Sequence, residues 1–130
     1  MKNQQPAPAI YFKSYEVKEF NYKKKAERKE FKNENPFQIS VNPGYDETKE
    51  KAVIEVTVNL DTEAVSITIV VNGYFELVDG EKTDFEKYLV INGTAIVYPY
   101  VRSMVSMLTS LDNENAIILP TINTNGLWHE

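Results

Sequence analysis

Apolar and polar side chains alternate along most of the chain up to Leu77, which is the pattern of strands with one buried face. The alternation is clean in "FQISV" from Phe37 and in "AVIEVTVNL" from Ala52, and it continues in "AVSITIVVNGYFELV" after the short connection "DTE". The first candidate strand, Ile10 to Lys23, alternates imperfectly, which predicts a bulge or an edge position. We therefore expect four antiparallel strands in a meander or a Greek key.

The last of these segments has an apolar face that is interrupted only at Gly73. The other odd-numbered positions on this face are Val65, Ile67, Ile69, Val71, Phe75 and Leu77. A glycine inside a strand marks a bulge or a close approach by another backbone. We therefore expect a hollow on this face beside Phe75.

The hydrophobic period then changes to that of a helix. "TDFE", from Thr83 to Glu86, has the form of a capping box, which predicts a helix start. Asn92 and Gly93 both tolerate the left-handed backbone that closes a helix, so they predict an end or a kink there. Thr94 is then placed to cap a second helical segment, which completes an α+β chain with a long C-terminal helix packed on the sheet.

The second helical segment is apolar over most of its circumference. Its apolar residues at three- and four-residue spacing are Val97, Val101, Met104, Leu108 and Leu111, and the sector is widened by Ile96, Tyr100, Val105 and Met107. Such a helix needs burial on more than one side, and one small sheet covers only one. We predict that a second subunit covers the other side.

Pro99 stands between two tyrosines in this helical pattern. Proline in a helix interior costs about 3 kcal/mol, and it is tolerated at the first helical position. We expect Tyr98 and Tyr100 to flank a bend or the start of the long helix, one ring packing on the sheet and the other toward a partner subunit. Arg102 is expected to reach polar groups at the same junction.

Length and composition bound the class of protein. The 130 residues fit one domain spanning 1–130, with residues 1–9 expected to be disordered. No apolar run approaches the roughly 18 residues of a membrane helix, and the start lacks the apolar core of a secretory signal, so we expect a cytoplasmic protein. The net charge of −5 argues against nucleic-acid binding, which is driven by lysine and arginine.

Few residues are suited to catalysis or to metal binding. The chain has no cysteine, and its single histidine is His129, next to Glu130. A nucleophile triad therefore lacks its base, a zinc site lacks ligands, and no glycine-rich phosphate loop is present. We expect neither enzymatic activity nor a cofactor or metal, although two carboxylates in a cleft are an acid–base alternative that the sequence leaves open.

Two motifs in the C-terminal region, "TAIVYPYVRSMVSMLTS" and "AIILPTINTNGLW", resemble the SecB family of protein-export chaperones. The family has an aromatic-Pro-Tyr-x-Arg helix motif, which Tyr98, Pro99, Tyr100 and Arg102 match. A later family motif combines leucine, proline, asparagine and a Leu-aromatic pair, and it is matched by Leu119, Pro120, Ile122, Asn123, Leu127 and Trp128. A weaker likeness covers "YEVKEFNYK" and "NGYFEL", so the resemblance spans nearly the whole chain and is specific over about the last 40 residues.

The resemblance implies a holdase that binds unfolded polypeptides in long apolar grooves. It implies a homotetramer, a dimer of dimers with the long helices sandwiched between sheets. The expected peptide-binding residues are Phe31, Phe37, Tyr74, Phe75, Ile122, Leu127 and Trp128. The expected oligomer interface consists of Tyr98, Tyr100, Val101, Met104, Val105 and Leu108.

The chain departs from the family pattern at three places. Family members continue past the Leu-aromatic pair into a second helix, whereas this sequence stops at Glu130, so we expect one groove wall to be shortened or replaced. In the acidic patch that docks the SecA motor, Glu19 keeps one position, but Lys23 and Thr68 stand where acids are expected. The resemblance therefore leaves open whether SecA is a partner. "TNG", residues 124–126, replaces the usual aromatic after asparagine.

Three functions compete on this basis. The first is a SecB-like holdase for protein export or for a dedicated client such as an antitoxin, acting without ATP. The second is a scaffold oligomer of the same fold whose groove is filled by its own side chains. The third is a module that binds a small ligand or a lipid in an enclosed pocket.

Overall fold

The computed structural model describes residues 10–26, 35–48, 50–77, 85–112 and 115–129. The elements, in chain order, are β1 (Ile10–Lys24), β2 (Phe37–Tyr45), β3 (Lys51–Asp61), β4 (Val65–Leu77), α1 (Phe85–Tyr88), a π-helical turn (Leu89–Gly93), α2 (Thr94–Ser110) and a 3-10 turn (Thr124–Leu127). Three sequence predictions lie outside the described residues: the disorder of residues 1–9, the groove residue Phe31 and the capping residue Thr83. No helix within the described ranges is long and apolar enough to cross a bilayer.

The four strands form one antiparallel sheet in the order β1-β4-β3-β2. Hairpins connect β2, β3 and β4, while β1 lies beside β4 instead of beside its neighbour in sequence. Of the two predicted arrangements, a meander and a Greek key, this strand order is the Greek key. It makes β1 and β2 the two edges of the sheet.

Two irregularities in β1 explain its imperfect alternation and confirm the predicted bulge. The register with β4 shifts between Phe12 and Ser14 and again between Val17 and Glu19. Each shift resets the alternation, because successive side chains of a regular strand point to opposite faces. From Phe12 onward, the aromatic and aliphatic side chains of β1 consequently lie on the face that β4 buries: Phe12 pairs with Phe75, Tyr15 with Gly73, Val17 with Val71, and Phe20 with Ile69.

The core lies between this face of the sheet and the helices. Ile54, Val56, Ile69 and Val71 are fully buried on the two central strands, and the helices contribute a second fully buried set, Leu89, Val97, Val101 and Val105. Complete burial of such a side chain stabilises a fold by about 1.5 to 3 kcal/mol. This packing is what holds α2 on the sheet.

Gly73 is required because α2 packs directly on the backbone of β4. A Cβ atom built at Gly73 would lie 2.3 Å from Cγ2 of Val97. The close approach predicted at Gly73 is therefore present, although the group that approaches is the side chain of Val97 and not another backbone. The prediction of a hollow beside Phe75 is wrong, because Val97 fills that space.

The chain stays in the right-handed helical conformation at Gly93, so the predicted left-handed closure is wrong, although the helix type changes there, from the π-helical turn to α2 beginning at Thr94. Gly93 has φ −60° and ψ −45°, and Thr94 has φ −64° and ψ −40°, which are right-handed helical values. We call the continuous run of α1, the π-helical turn and α2 the long helix. Pro99 lies in the interior of α2, where its missing N–H leaves the carbonyl of Ala95 without a helical partner. Ala95 is exposed, so water can hydrogen-bond that carbonyl.

Candidate functional site

Side chains of α2 hold the C-terminal segment, residues 115–129, along one face of the long helix. Four hydrogen bonds do so: Tyr98 Oη donates to Pro120 O (2.5 Å), Arg102 Nε to Leu119 O (3.1 Å), Ser106 Oγ to Ile117 O (3.0 Å), and Ile117 N donates to Thr109 Oγ1 (2.9 Å). We call Tyr98, Arg102, Ser106 and Thr109 the side-chain ladder. Their spacing of three and four residues places them in one stripe of an α-helix.

The end of the side-chain ladder at Tyr98 is buried. Tyr98 is 4% exposed and Leu119, which the ladder holds, is 1% exposed. Burial raises the pKa of the Tyr98 hydroxyl, and the positive charge of Arg102 opposes that shift only in part. Tyr98 is therefore protonated at neutral pH and acts as a hydrogen-bond donor to the segment.

The C-terminal segment lies on the side of the long helix that faces β2. Tyr98 and Tyr100 are two positions apart, which is about 200° around a helix. The ring of Tyr100 stacks on the β1 side, with centroids 4.6 Å from Tyr15 and 5.8 Å from Phe12. The ladder and its segment therefore lie on the flank of α2 that is opposite to Tyr100 and β1.

Half-buried apolar side chains accumulate on this side of the helix. β2 contributes Phe37, Ile39 and Val41, whose partners on β3 are core residues. The C-terminal segment contributes Ile122, Leu127 and Trp128, which pack against the same core. We call these six residues the β2 cleft. None of them is fully buried, so each retains surface for a ligand.

Two depressions border the β2 cleft. One of ≈ 410 Å³ follows β2 and is lined by Asn35, Phe37, Gln38, Ile39, Ser40 and Asn59. The other, of ≈ 260 Å³, lies between the start of the long helix and the 3-10 turn and is lined by Lys87, Tyr88, Ile91, Asn92 and Asn125. Amide and hydroxyl groups thus rim an apolar surface. No strand pairs with the outer edge of β2 in the part of the chain that the structure describes.

The structure brings only some of the expected peptide-binding residues together. Phe37, Ile122, Leu127 and Trp128 are half-buried members of the β2 cleft. Phe75 is 2% exposed and belongs to the core, so it offers no surface to a ligand. Tyr74 points to the opposite face of the sheet, where its hydroxyl donates to Glu16 Oε1 at 3.0 Å. Sequence reasoning missed Ile39 and Val41, although the alternation that starts at Phe37 contains them.

The expected interface residues on α2 divide in the same way. Tyr98, Val101 and Val105 are buried inside the chain itself, at 4%, 0% and 0% exposure. Met104 is half-buried. An apolar set on α2 retains exposed surface, and we call it the outer helix face: Ile96, Tyr100, Met107, Leu108 and Leu111. Its position is the β1 flank of the helix, because Tyr100 stacks there on Tyr15 and Phe12. Contiguous apolar surface of this kind marks an interaction site.

Metal-ligating side chains are not clustered at either surface. Within the described ranges, no three His, Asp or Glu residues are placed to hold a metal ion together. His129 is exposed on the C-terminal segment. The chemistry available at the β2 cleft is therefore apolar contact, with hydrogen bonds from the surrounding amides, hydroxyls and backbone.

Comparison with known proteins agrees with the fold and with the C-terminal motifs. A family model described as "Preprotein translocase subunit SecB" matches residues 3–130. An uncharacterized protein of Methanocaldococcus jannaschii, MJ0357, is 35% identical over 63 residues, which are 48% of this chain and 41% of the relative. The chain thus matches less than half the length of that relative.

Two solved structures are similar in fold. The first is the SecB-like chaperone Rv1957 of Mycobacterium tuberculosis in complex with a ChAD peptide from the antitoxin HigA1, with a TM-score of 0.65, 13% identity, and coverage of 88% of this chain and 91% of that one. The second is a protein of unknown function from Streptococcus agalactiae, with a TM-score of 0.66, 16% identity, and coverage of 89% and 100%. At these identities, the likeness shows the fold alone.

Proposed function

Because the chain belongs to the SecB family, we propose that it is a cytoplasmic chaperone that holds unfolded or non-native polypeptides without ATP. The observation that carries the proposal is the β2 cleft, an apolar surface along an edge strand. Non-native chains expose apolar side chains and unpaired backbone groups together. A surface that offers both apolar contacts and a free strand edge binds such chains without reading their sequence.

Residues of β2 alternate between the cleft and the opposite face of the sheet, which provides a matched test. Ile39→Asp places a charge in the cleft, whereas Asn42→Asp places the same charge on the other face of β2, outside the depression that borders the cleft. We expect the wild-type chain and Asn42→Asp to suppress aggregation of a chemically unfolded model protein, and Ile39→Asp to lose most of this effect. Absence of suppression by the wild-type chain at one assembled oligomer per client would refute the proposal.

The outer helix face supports a further part of the proposal, assembly into a homotetramer as a dimer of dimers. The interface residues proposed from the sequence narrow to those that retain exposed surface, Tyr100 and Leu108, together with the half-buried Met104. Met107, at 67% exposure, and Leu111, at 80%, extend the same surface. A second copy of this face would bury apolar surface that the sheet of one chain does not cover.

Light scattering after size-exclusion chromatography tests the assembly. We expect a mass about four times that of the 14.9 kDa protomer. Met107→Glu should reduce this mass, while Asn21→Glu, on the opposite face of the sheet at the β1 edge, should leave it unchanged. A monomeric wild-type chain would contradict the proposed assembly.

The client class extends from export substrates to a dedicated partner. The similar chaperone Rv1957 is in complex with a peptide from an antitoxin, which supports a client of that kind for this chain as well. Coupling to SecA has weaker support, because Lys23 and Thr68 stand in the expected acidic patch. Identifying the polypeptides that co-purify with the wild-type chain but not with Ile39→Asp would distinguish the two classes.

A further inference from the structure

The C-terminal segment is attached to the rest of the chain in an unusual way. In the described residues, its backbone hydrogen bonds to other elements all involve side chains of the ladder, and its own backbone pairs are local, from Gly126 N to Asn123 O and from Trp128 N to Asn125 O. The segment is therefore not a strand of the sheet. Its position depends on side chains of the long helix, which bond its carbonyl oxygens, and on the burial of Leu119.

The same segment supplies half of the β2 cleft. Ile122, Leu127 and Trp128 follow Pro120, the last residue that the ladder holds. The other half of the cleft, on β2, is fixed by the hydrogen bonds of β2 with β3. One wall of the cleft is thus part of the sheet, and the other is held by the side-chain ladder and by its own apolar contacts with the core.

From this arrangement we propose that Tyr98 and Ser106 are positioning residues for client binding, because they hold the C-terminal segment where its apolar side chains meet a client. This proposal rests on the proposed chaperone function. Neither hydroxyl needs to touch the client. Removing either one releases the segment locally and leaves the residues of the central strands, which form most of the core, in place.

Single-atom changes test the role. Tyr98→Phe and Ser106→Ala each remove one hydroxyl, and Ser106→Thr restores it. Tyr22→Phe is the control for general loss of stability: it removes a tyrosine hydroxyl that donates to Asp112 at the other end of the long helix, 3.1 Å away, and does not contact the cleft. Binding is measured by fluorescence anisotropy of a labelled unfolded polypeptide, and local opening by hydrogen–deuterium exchange.

We expect Tyr98→Phe and Ser106→Ala to raise the Kd for the labelled polypeptide about 2- to 10-fold, the equivalent of one net hydrogen bond. Exchange should rise in residues 115–129 and not in β3 or β4. Ser106→Thr and Tyr22→Phe should keep the wild-type Kd. If the wild-type chain binds and both hydroxyl deletions keep its Kd, the positioning role is refuted while the chaperone function stands. If the wild-type chain binds no unfolded polypeptide, the proposed function fails, and the positioning role fails with it.

Discussion

Thr94 and Thr109 are both fully buried in the long helix, and valine at these two positions should shift the free energy of unfolding in opposite directions. The Thr109 hydroxyl donates to Val105 O at 2.7 Å and accepts from Ile117 N at 2.9 Å. The Thr94 hydroxyl has no partner among the described residues. Valine has nearly the shape of threonine, so the substitution isolates the hydroxyl.

The π-helical turn explains the difference. A buried threonine in an α-helix commonly donates to the carbonyl four residues earlier, as Thr109 does. For Thr94 that carbonyl belongs to Val90, which lies inside the π-helical turn. The helical hydrogen bonding is irregular where this turn ends: the Thr94 N–H donates to Ile91 O, three residues earlier, and the Thr94 hydroxyl has no partner among the described residues.

The magnitudes follow from hydrogen bonding and burial. A buried hydroxyl without a partner destabilises the fold by about 1 to 3 kcal/mol. The buried methyl group that replaces it in valine stabilises the fold by about 0.8 kcal/mol. Allowing for incomplete relaxation, we expect Thr94→Val to stabilise the fold by about 1 kcal/mol. Thr109→Val leaves both the Val105 carbonyl and the Ile117 amide without this partner, so it should destabilise the fold by about 1 to 3 kcal/mol.

Urea unfolding at fixed protein concentration measures both changes. Equal m-values with shifted midpoints would show that stability alone has changed. In thermal unfolding, Thr94→Val should raise the Tm by about 4 °C per kcal/mol for a chain of this size. Equal destabilisation by the two variants would refute the reasoning, since it would mean that the Thr94 hydroxyl has a partner as good as those of Thr109.

Three further substitutions test other contacts. Gly73→Ala should destabilise the fold by about 1 to 3 kcal/mol in urea unfolding, because its Cβ would lie 2.3 Å from Val97 Cγ2. Gly93→Ala should stabilise it by about 0.5 to 1 kcal/mol, because the backbone is right-handed and the new Cβ would have ordinary contacts at 3.4 to 3.5 Å. A left-handed Gly93 would instead make that variant less stable. The hydrogen bond with Lys24 is the largest cause of the lowered pKa of Asp112. The stabilisation from the ionised Asp112 carboxylate is fully present above the pKa of about 3.9 that aspartate has in the unfolded chain. It is lost as the pH falls through the lower pKa of Asp112 in the folded chain. Asp112→Asn should therefore be less stable than wild type at pH 7, and thermal unfolding should show the gap closing by about pH 2; a constant gap would contradict this.

Strand positions followed from the sequence, and so did the hairpin of β3 with β4 across the short connection "DTE", but the neighbour of β1 did not. Alternation assigns each residue of a strand to a face, and it carries no information on which strand lies beside it. The place of β1 next to β4 was therefore undetermined. The bulges in β1 had a visible signal, since Phe12 and Tyr15 stand on opposite parities in the sequence and lie on one face of the sheet.

The candidate site was predictable only where a residue's face was known. Tyr74 and Phe75 are adjacent in a strand, so they point to opposite faces and cannot line one groove. On the helix, the three- and four-residue spacing identified apolar stripes but not which stripe packs on the sheet. Val101 and Val105 consequently lie in the core, and Leu108 retains exposed surface. Arg102 was expected to reach polar groups at this junction, and it donates to Leu119 O. The partners of the ladder had no sequence signal, because they are backbone carbonyl and amide groups.

The π-helical turn has a physical origin that the sequence does contain. An α-helix turns by about 100° per residue, so the 12 positions from Leu89 to Val101 would place these side chains about 120° apart. Both are fully buried against the sheet. A turn that absorbs one extra residue reduces the angle to about 20° and lets both side chains face the core. Burial of one such side chain is worth about 1.5 to 3 kcal/mol, and one unpaired hydroxyl at Thr94 costs about 1 to 3 kcal/mol. The wide turn persists because it aligns a whole stripe of buried side chains, on both sides of the turn, at the cost of a single hydrogen bond.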